Sequence, residues 1–131
     1  MTNSKHFARM GFLVLSLLAY SVGSILFAFP QSIVSTSPGE EFSLSLLRVV
    51  GASIIIVHGY GCYLIYANAR KFALVLRQMI WVSLFVCVAL ILSLCLDEVG
   101  NHRALMYCFL GLYSCFTVYL FFGKKHLIDP N

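Results

Sequence analysis

Residues 46–69 read LLRVVGASIIIVHGYGCYLIYANA, and this stretch decides the fold of the chain. Between residues 49 and 69 no side chain carries a formal charge. About 20 such residues in an α-helix, which rises about 1.5 Å per residue, span the roughly 30 Å hydrocarbon core of a bilayer. The stretch therefore predicts a transmembrane helix with Arg48 near its start and His58 in its middle.

The whole chain has the composition of an integral membrane protein. Of its 131 residues 60% are apolar and 11% are charged, and the mean hydropathy of +0.90 is far above that of soluble domains. The connectors are too short to fold alone, so residues 1–131 are predicted to form one all-α domain. Its four apolar runs predict four spans, at about residues 10–29, 46–67, 74–96 and 104–122.

The basic residues predict how the helices are oriented. A very short turn at residues 68–71 makes the second and third spans antiparallel neighbours, so we expect an antiparallel four-helix transmembrane bundle. Positive charge favours the cytoplasmic or matrix side of a membrane, which predicts that both termini lie on that side. Seven of the nine basic residues would then share it: Lys5, Arg9, Arg70, Lys71, Arg77, Lys124 and Lys125.

This charge distribution also limits the partners and the location of the protein. The net charge of +4 is explained by basic residues at the ends of spans, so no nucleic-acid partner is expected. The bias fits the inner membrane of a bacterium, or the inner membrane of a mitochondrion or plastid. The lipid bilayer itself is then one partner of the chain.

Small side chains recur at helical spacing inside the predicted spans. In lipid such residues let two helix backbones approach closely, and they therefore mark helix contacts. Because the second span carries the longest small face, we expect it to be the most buried of the four. The candidate helix-packing residues are Ala19, Gly23, Gly51, Gly59, Gly111 and Cys115.

Charged residues near the outer ends of two spans predict an ion pair. Arg48 lies about one turn inside the second span, while Asp97 and Glu98 close the third. Antiparallel neighbours would bring these ends together, so we expect Arg48 to pair with Asp97 or Glu98 and to hold the two helices in place. An ionisable residue at membrane depth can also mark a substrate or proton path.

His58 is the one histidine inside a predicted span. A histidine at this depth can be an axial ligand of haem or of a pigment, or part of a proton relay. The other histidines lie outside the membrane, so they supply no second haem ligand. We expect a neutral imidazole that is hydrogen-bonded to a serine, tyrosine or carbonyl of a neighbouring helix. No cofactor is therefore expected apart from lipid, and an axial ligand at His58 stays an alternative.

Motifs for catalysis are missing from the sequence. It contains no GxSxG, no HExxH, no phosphate-binding glycine loop and no CxxC pair, and its five cysteines all lie in apolar runs. The chain is therefore expected to be neither an enzyme nor a metal-binding protein.

Several functions are compatible with the sequence: a subunit and a transporter are considered first, a protein that binds a pigment, a quinone or haem through His58 is third, and a membrane enzyme is last. We expect a non-catalytic accessory or structural subunit of a larger membrane protein complex, of respiratory or photosynthetic type, whose partners are other membrane subunits. The alternative is a small homo-oligomeric transporter or channel. Its polar path would run near Arg48 and His58, with serines as further lining: Ser53, Ser83 and Ser93.

Overall fold

A computed structural model of the chain describes residues 2–32, 41–96 and 103–128. Within these ranges the chain is almost entirely helical and contains no strand. Four helices in them are long and apolar enough to cross a membrane: Asn3–Ala28, Leu44–Asn68, Ala73–Cys95 and Arg103–Ile128. The predicted all-helical, multi-pass membrane class is confirmed by the length and composition of these helices.

Two of the four spans include π-helical turns. In chain order the elements are α1 (Thr2–Ala28), a 3₁₀ turn (Pro30–Ser32), α2 (Glu41–Ser53), a π-helical segment (Ile54–Tyr60), α3 (Gly61–Asn68), α4 (Ala73–Cys95), α5 (Arg103–Gly123) and a π-helical end (Lys124–Ile128). We call Ile54–Tyr60 the π segment. It joins α2 and α3 into one continuous second span.

Helix α1 begins well before its apolar run, because its polar first turns are anchored to the end of α3. The guanidinium of Arg9 donates hydrogen bonds to the carbonyl oxygens of Tyr66 and Ala67, at 2.6 and 2.9 Å. It also lies over the Tyr66 ring, with 5.4 Å between its central carbon and the ring centroid. The last carbonyls of a helix have no hydrogen-bond donor within the helix, and here the guanidinium of Arg9 is the donor for two of them.

Helix α1 packs along the whole second span. Gly23 lies against Gly51 near one end, and Gly59 lies against the ring of Tyr20 further along. The Ser16 hydroxyl donates to the carbonyl of Gly59 at 2.7 Å, in a buried position. Small residues therefore line this contact on both helices, as expected for helices that associate in lipid.

All four spans meet at the end of the bundle that holds the α3–α4 turn. The core here is formed by Phe12, Cys62, Ile65, Leu76, Met79, Ile80 and Leu120. Nearby, Gly123 lies so close to Phe12 that an added Cβ would be 2.5 Å from the ring. The chain continues in helical form past Gly123, so this glycine serves a close contact and does not end the span.

The opposite half of the bundle is more open. Among the described residues, none in α4 after Ser83 and none in α5 before Thr117 is buried. The second span is the most buried of the four, as predicted: 33% of its apolar window is buried, against 22%, 17% and 11% for the first, third and fourth spans. The open half of α5 faces a cleft that contains the middle of the second span.

Candidate functional site

The candidate site is centred on His58, which lies in the π segment at the middle of the second span. A π-helical turn interrupts the regular α-helical hydrogen bonds and is often found at functional sites. The segment is held from α1 by the bond between Ser16 and Gly59. An added Cβ on Gly59 would lie 3.3 Å from the Tyr20 ring, so the glycine allows α1 to come this close.

The imidazole of His58 is buried without a hydrogen-bond partner. Its side chain is 9% exposed, and neither Nδ1 nor Nε2 has a partner among the described residues. The expected bond to a serine, tyrosine or carbonyl is therefore not found in that part of the chain. A buried polar group left without a partner costs about 1–3 kcal/mol, so this arrangement requires an explanation.

Two aromatic side chains of α5 pack on the imidazole. The ring centroid of Tyr113 lies 5.5 Å from that of His58 with an interplanar angle of 86°, an edge-to-face contact. The ring of Phe116 lies 5.2 Å away at 54°. These distances are within the range of favourable aromatic contacts, so α5 determines the position of the imidazole.

The imidazole lines a cleft of about 310 Å³ between α1, the second span and α5. This volume is at the lower end of the range for small-molecule sites. Only His58 and Tyr113 contribute side chains with polar atoms to the wall. The lining residues are Leu15, Leu18, Ala19, Val22, Ile54, His58, Phe109, Leu112, Tyr113 and Phe116.

The cleft exists because α1 and α5 touch at one end only. There the Tyr119 hydroxyl donates to the carbonyl of Ala8 at 2.8 Å, and the Tyr119 ring packs on Phe12 with centroids 5.3 Å apart. Towards the start of α5 the two helices face each other across the cleft, with Ala19 as a small side chain in its wall. The opening therefore lies at the depth of His58.

The aromatic residues of the cleft were not predicted as site residues. Phe109, Tyr113 and Phe116 are spaced i, i+4 and i+7, which puts them on one face of α5. This spacing is the one feature of the sequence that could have indicated an aromatic wall on α5. The same spacing is typical of ordinary helix packing. Only the packing of the helices in the tertiary structure brings these rings into one cleft with His58.

Some of the predicted helix-packing residues lie in close helix contacts within the structure, and others do not. Gly23, Gly51 and Gly59 lie in contacts between α1 and the second span. Gly111 does not: an added Cβ would meet no atom within 4 Å in the described structure, and Cys115 is exposed. Gly111 therefore makes no close helix contact among the described residues, and the role of Gly111 and Cys115 in helix packing stays a prediction.

The predicted ion pair falls partly outside the described residues. Arg48 is exposed on α2, while Asp97 and Glu98 are not among those residues. The pairing of Arg48 therefore stays a prediction.

The polar residues proposed for a transport path are not gathered around His58. The hydroxyl of Ser53 is exposed and donates to Val49 of its own helix at 2.9 Å. The hydroxyl of Ser83 is buried and donates to Ile80 at 3.0 Å. Neither serine lines the cleft with His58, and Arg48 does not line it either.

The described residues contain no group of three or more histidine, cysteine, aspartate or glutamate side chains that could hold a metal ion. Comparisons of the chain with protein-family models, with curated proteins and with solved structures give no match. The cleft and the outer helix surfaces are therefore the features of the molecule that bear on its function.

Proposed function

We propose that the protein is a non-catalytic accessory subunit of a larger membrane protein complex, of respiratory or photosynthetic type. The supporting observation is a surface of α5 where small residues are exposed and where no helix among the described residues covers Gly111. This surface consists of Cys108, Gly111, Ser114 and Cys115, and we call it the α5 small face.

The other glycines of the bundle show what such a surface does when a helix covers it. At Gly23 and Gly51 the two backbones come so close that neither position has room for a Cβ. Gly111 has the same kind of small neighbours, but open space lies over it within the described structure. A helix of another subunit that packs on the α5 small face would use it in the same way.

The orientation of the bundle is part of this proposal. Contacts between α1 and the second span pair Gly23 with Gly51 and Arg9 with Tyr66, so residue numbers rise along one helix as they fall along the other. This order supports an antiparallel arrangement. The excess of basic residues at the ends that hold both termini and residues 68–77 supports a cytoplasmic or matrix location for that side.

The test is native mass spectrometry of the protein, extracted gently from its own membrane. We expect a heteromeric complex of defined composition. The variant Gly111→Leu adds a bulky side chain to the α5 small face and is expected to release the chain from the complex. The matched control is Ala89→Leu, at an exposed small position on α4, and it should leave the complex intact.

Three outcomes would contradict the proposal, either as a whole or in the surface that it assigns to the partner. Recovery of monomers alone would show that no stable partner exists. A symmetric homo-oligomer would favour the alternative of a transporter or channel, whose polar path would then have to form between copies near Arg48. A complex that survives Gly111→Leu would show that the partner binds elsewhere than the α5 small face.

A further inference from the structure

We infer that the cleft at His58 binds the ring of a neutral, lipid-soluble molecule that carries a carbonyl or hydroxyl group, of the quinone or quinol class. The ligand ring would lie among the aromatic residues of α5, and its oxygen would bond to the imidazole. This inference does not depend on the role of the protein as a subunit, since the cleft lies inside a single chain.

His58 has hydrogen-bonding capacity that the described residues do not use. A neutral imidazole has one N–H donor and one nitrogen acceptor, and both nitrogens of His58 are buried and unpaired within the described part of the chain. A ring carbonyl can accept a hydrogen bond from the N–H. A ring hydroxyl can donate to the other nitrogen. Either bond would offset the cost of burying the imidazole.

The shape and chemistry of the cleft wall fit a planar apolar ring. Apart from His58 and the hydroxyl of Tyr113, the lining side chains are apolar, and three residues of α5 are aromatic. Planar rings stack well on such side chains. A volume of about 310 Å³ accommodates one substituted ring and leaves the tail of the molecule outside, among the lipid chains.

The cleft lies deep in the membrane and is open to the lipid. His58 lies ten residues before Asn68, the last residue of the span, which at about 1.5 Å per residue is about 15 Å and close to the middle of the bilayer. A charged headgroup is costly at this depth, so a phospholipid headgroup does not fit. Exposed side chains at the rim, Leu18, Val22 and Leu112, open the cleft to the lipid phase.

The geometry favours a hydrogen-bonded ring over a metal-centred macrocycle. An axial ligand needs an open position in front of a ring nitrogen, about 2 Å from the metal. Both nitrogens of His58 are instead covered, with Tyr113 and Phe116 packed on the ring. A ring oxygen would need only a small shift of Tyr113 or Phe116 to reach a nitrogen, whereas a macrocycle is also too large for a cleft of about 310 Å³.

The test measures binding of a short-tailed alkyl benzoquinone to the purified full-length chain in nanodiscs by isothermal titration calorimetry. The variant His58→Leu removes both hydrogen-bonding nitrogens and should weaken binding at least tenfold. His58→Gln keeps a donor and an acceptor, and it should retain a large part of the affinity. Comparing the two variants shows how much of the affinity comes from the hydrogen bond at residue 58 and how much from apolar contacts with the ring.

A second pair of variants tests the location without changing His58. Leu112→Trp fills the cleft from an exposed position and should abolish binding. Val88→Trp puts the same side chain on the exposed surface of α4, away from the cleft, and should leave binding unchanged.

The inference is overturned if the wild-type chain does not bind the benzoquinone, or if all four variants bind it as the wild type does, which would indicate simple partitioning into lipid. It is also overturned if the protein from its own membrane carries a visible tetrapyrrole band that is lost in His58→Leu. In that case the ligand at His58 would be a metal-centred macrocycle.

Discussion

Gly23 and Gly51 face each other across the contact of α1 and α2 with no space between their backbones. A Cβ added to Gly23 would lie 2.8 Å from the carbonyl oxygen of Gly51, and a Cβ added to Gly51 would lie 2.7 Å from that of Gly23. Each glycine is therefore required by the position of the other. The obstacle is backbone in both cases, so it cannot be removed by a side-chain rotation.

This relationship predicts that Gly23→Ala and Gly51→Ala each destabilise the protein. We expect a loss of about 1–3 kcal/mol in the free energy of unfolding, because the helices must move apart to admit the methyl group. The measurement is reversible unfolding in mixed micelles by titration with dodecyl sulfate, followed by circular dichroism.

Gly111→Ala is the matched control, since an added Cβ there meets nothing within 4 Å in the described structure. It should leave stability unchanged or raise it by up to about 1 kcal/mol, through the higher helix propensity of alanine. Equal losses in all three variants would contradict the role of the Gly23–Gly51 contact.

The Ser16 hydroxyl is predicted to hold α1 against the π segment. Ser16→Ala removes the buried bond to the Gly59 carbonyl and should cost about 0.5–1.5 kcal/mol. The control is Ser21→Ala, because the Ser21 hydroxyl is exposed and donates to the Leu17 carbonyl of its own helix, at 2.9 Å. The same unfolding titration compares the two, and a larger effect at Ser21 would count against the interhelical bond.

His58 is predicted to reduce the stability of the ligand-free protein. His58→Leu replaces a buried polar side chain that has no partner in the described part of the chain with an apolar one, so we expect the free energy of unfolding to rise by about 1–3 kcal/mol. His58→Gln leaves polar atoms in the same place and should bring no such gain. The unfolding titration must use protein stripped of lipid-soluble ligands.

Opposite effects of His58→Leu on stability and on benzoquinone binding would identify the residue as one kept for function at a cost in stability. A marked destabilisation by His58→Leu would mean that the imidazole has a bonding partner in the folded chain.

Arg9 is predicted to protect the end of α3. Arg9→Gln weakens the bonds to the carbonyls of Tyr66 and Ala67, and we expect a loss of about 1 kcal/mol, since the contact is exposed to solvent. Hydrogen exchange of the amides near Asn68 should become faster. Lys5→Gln removes a nearby charge from the same helix without changing these bonds, and exchange should remain slow in that variant.

Hydropathy and residue size predicted much of the fold but less of the site. The greater burial of the second span was foreseeable from the small residues along it, because a helix with little side-chain bulk can be approached closely. The sequence could not distinguish Gly111 from Gly51. Both lie in similar small-residue patterns, and they differ only in what lies opposite.

By itself, the sequence determined that four apolar helices of membrane length are present, because the thickness of a bilayer sets the number of residues each must have. It also marked His58 as unusual, since a titratable side chain at that depth is rare. The tertiary structure alone decided that neither nitrogen has a partner among the described residues and that the imidazole lines a cleft with Tyr113. A hydrogen-bond partner or a cavity wall depends on side chains from distant parts of the chain, and their positions follow only once the helices have packed.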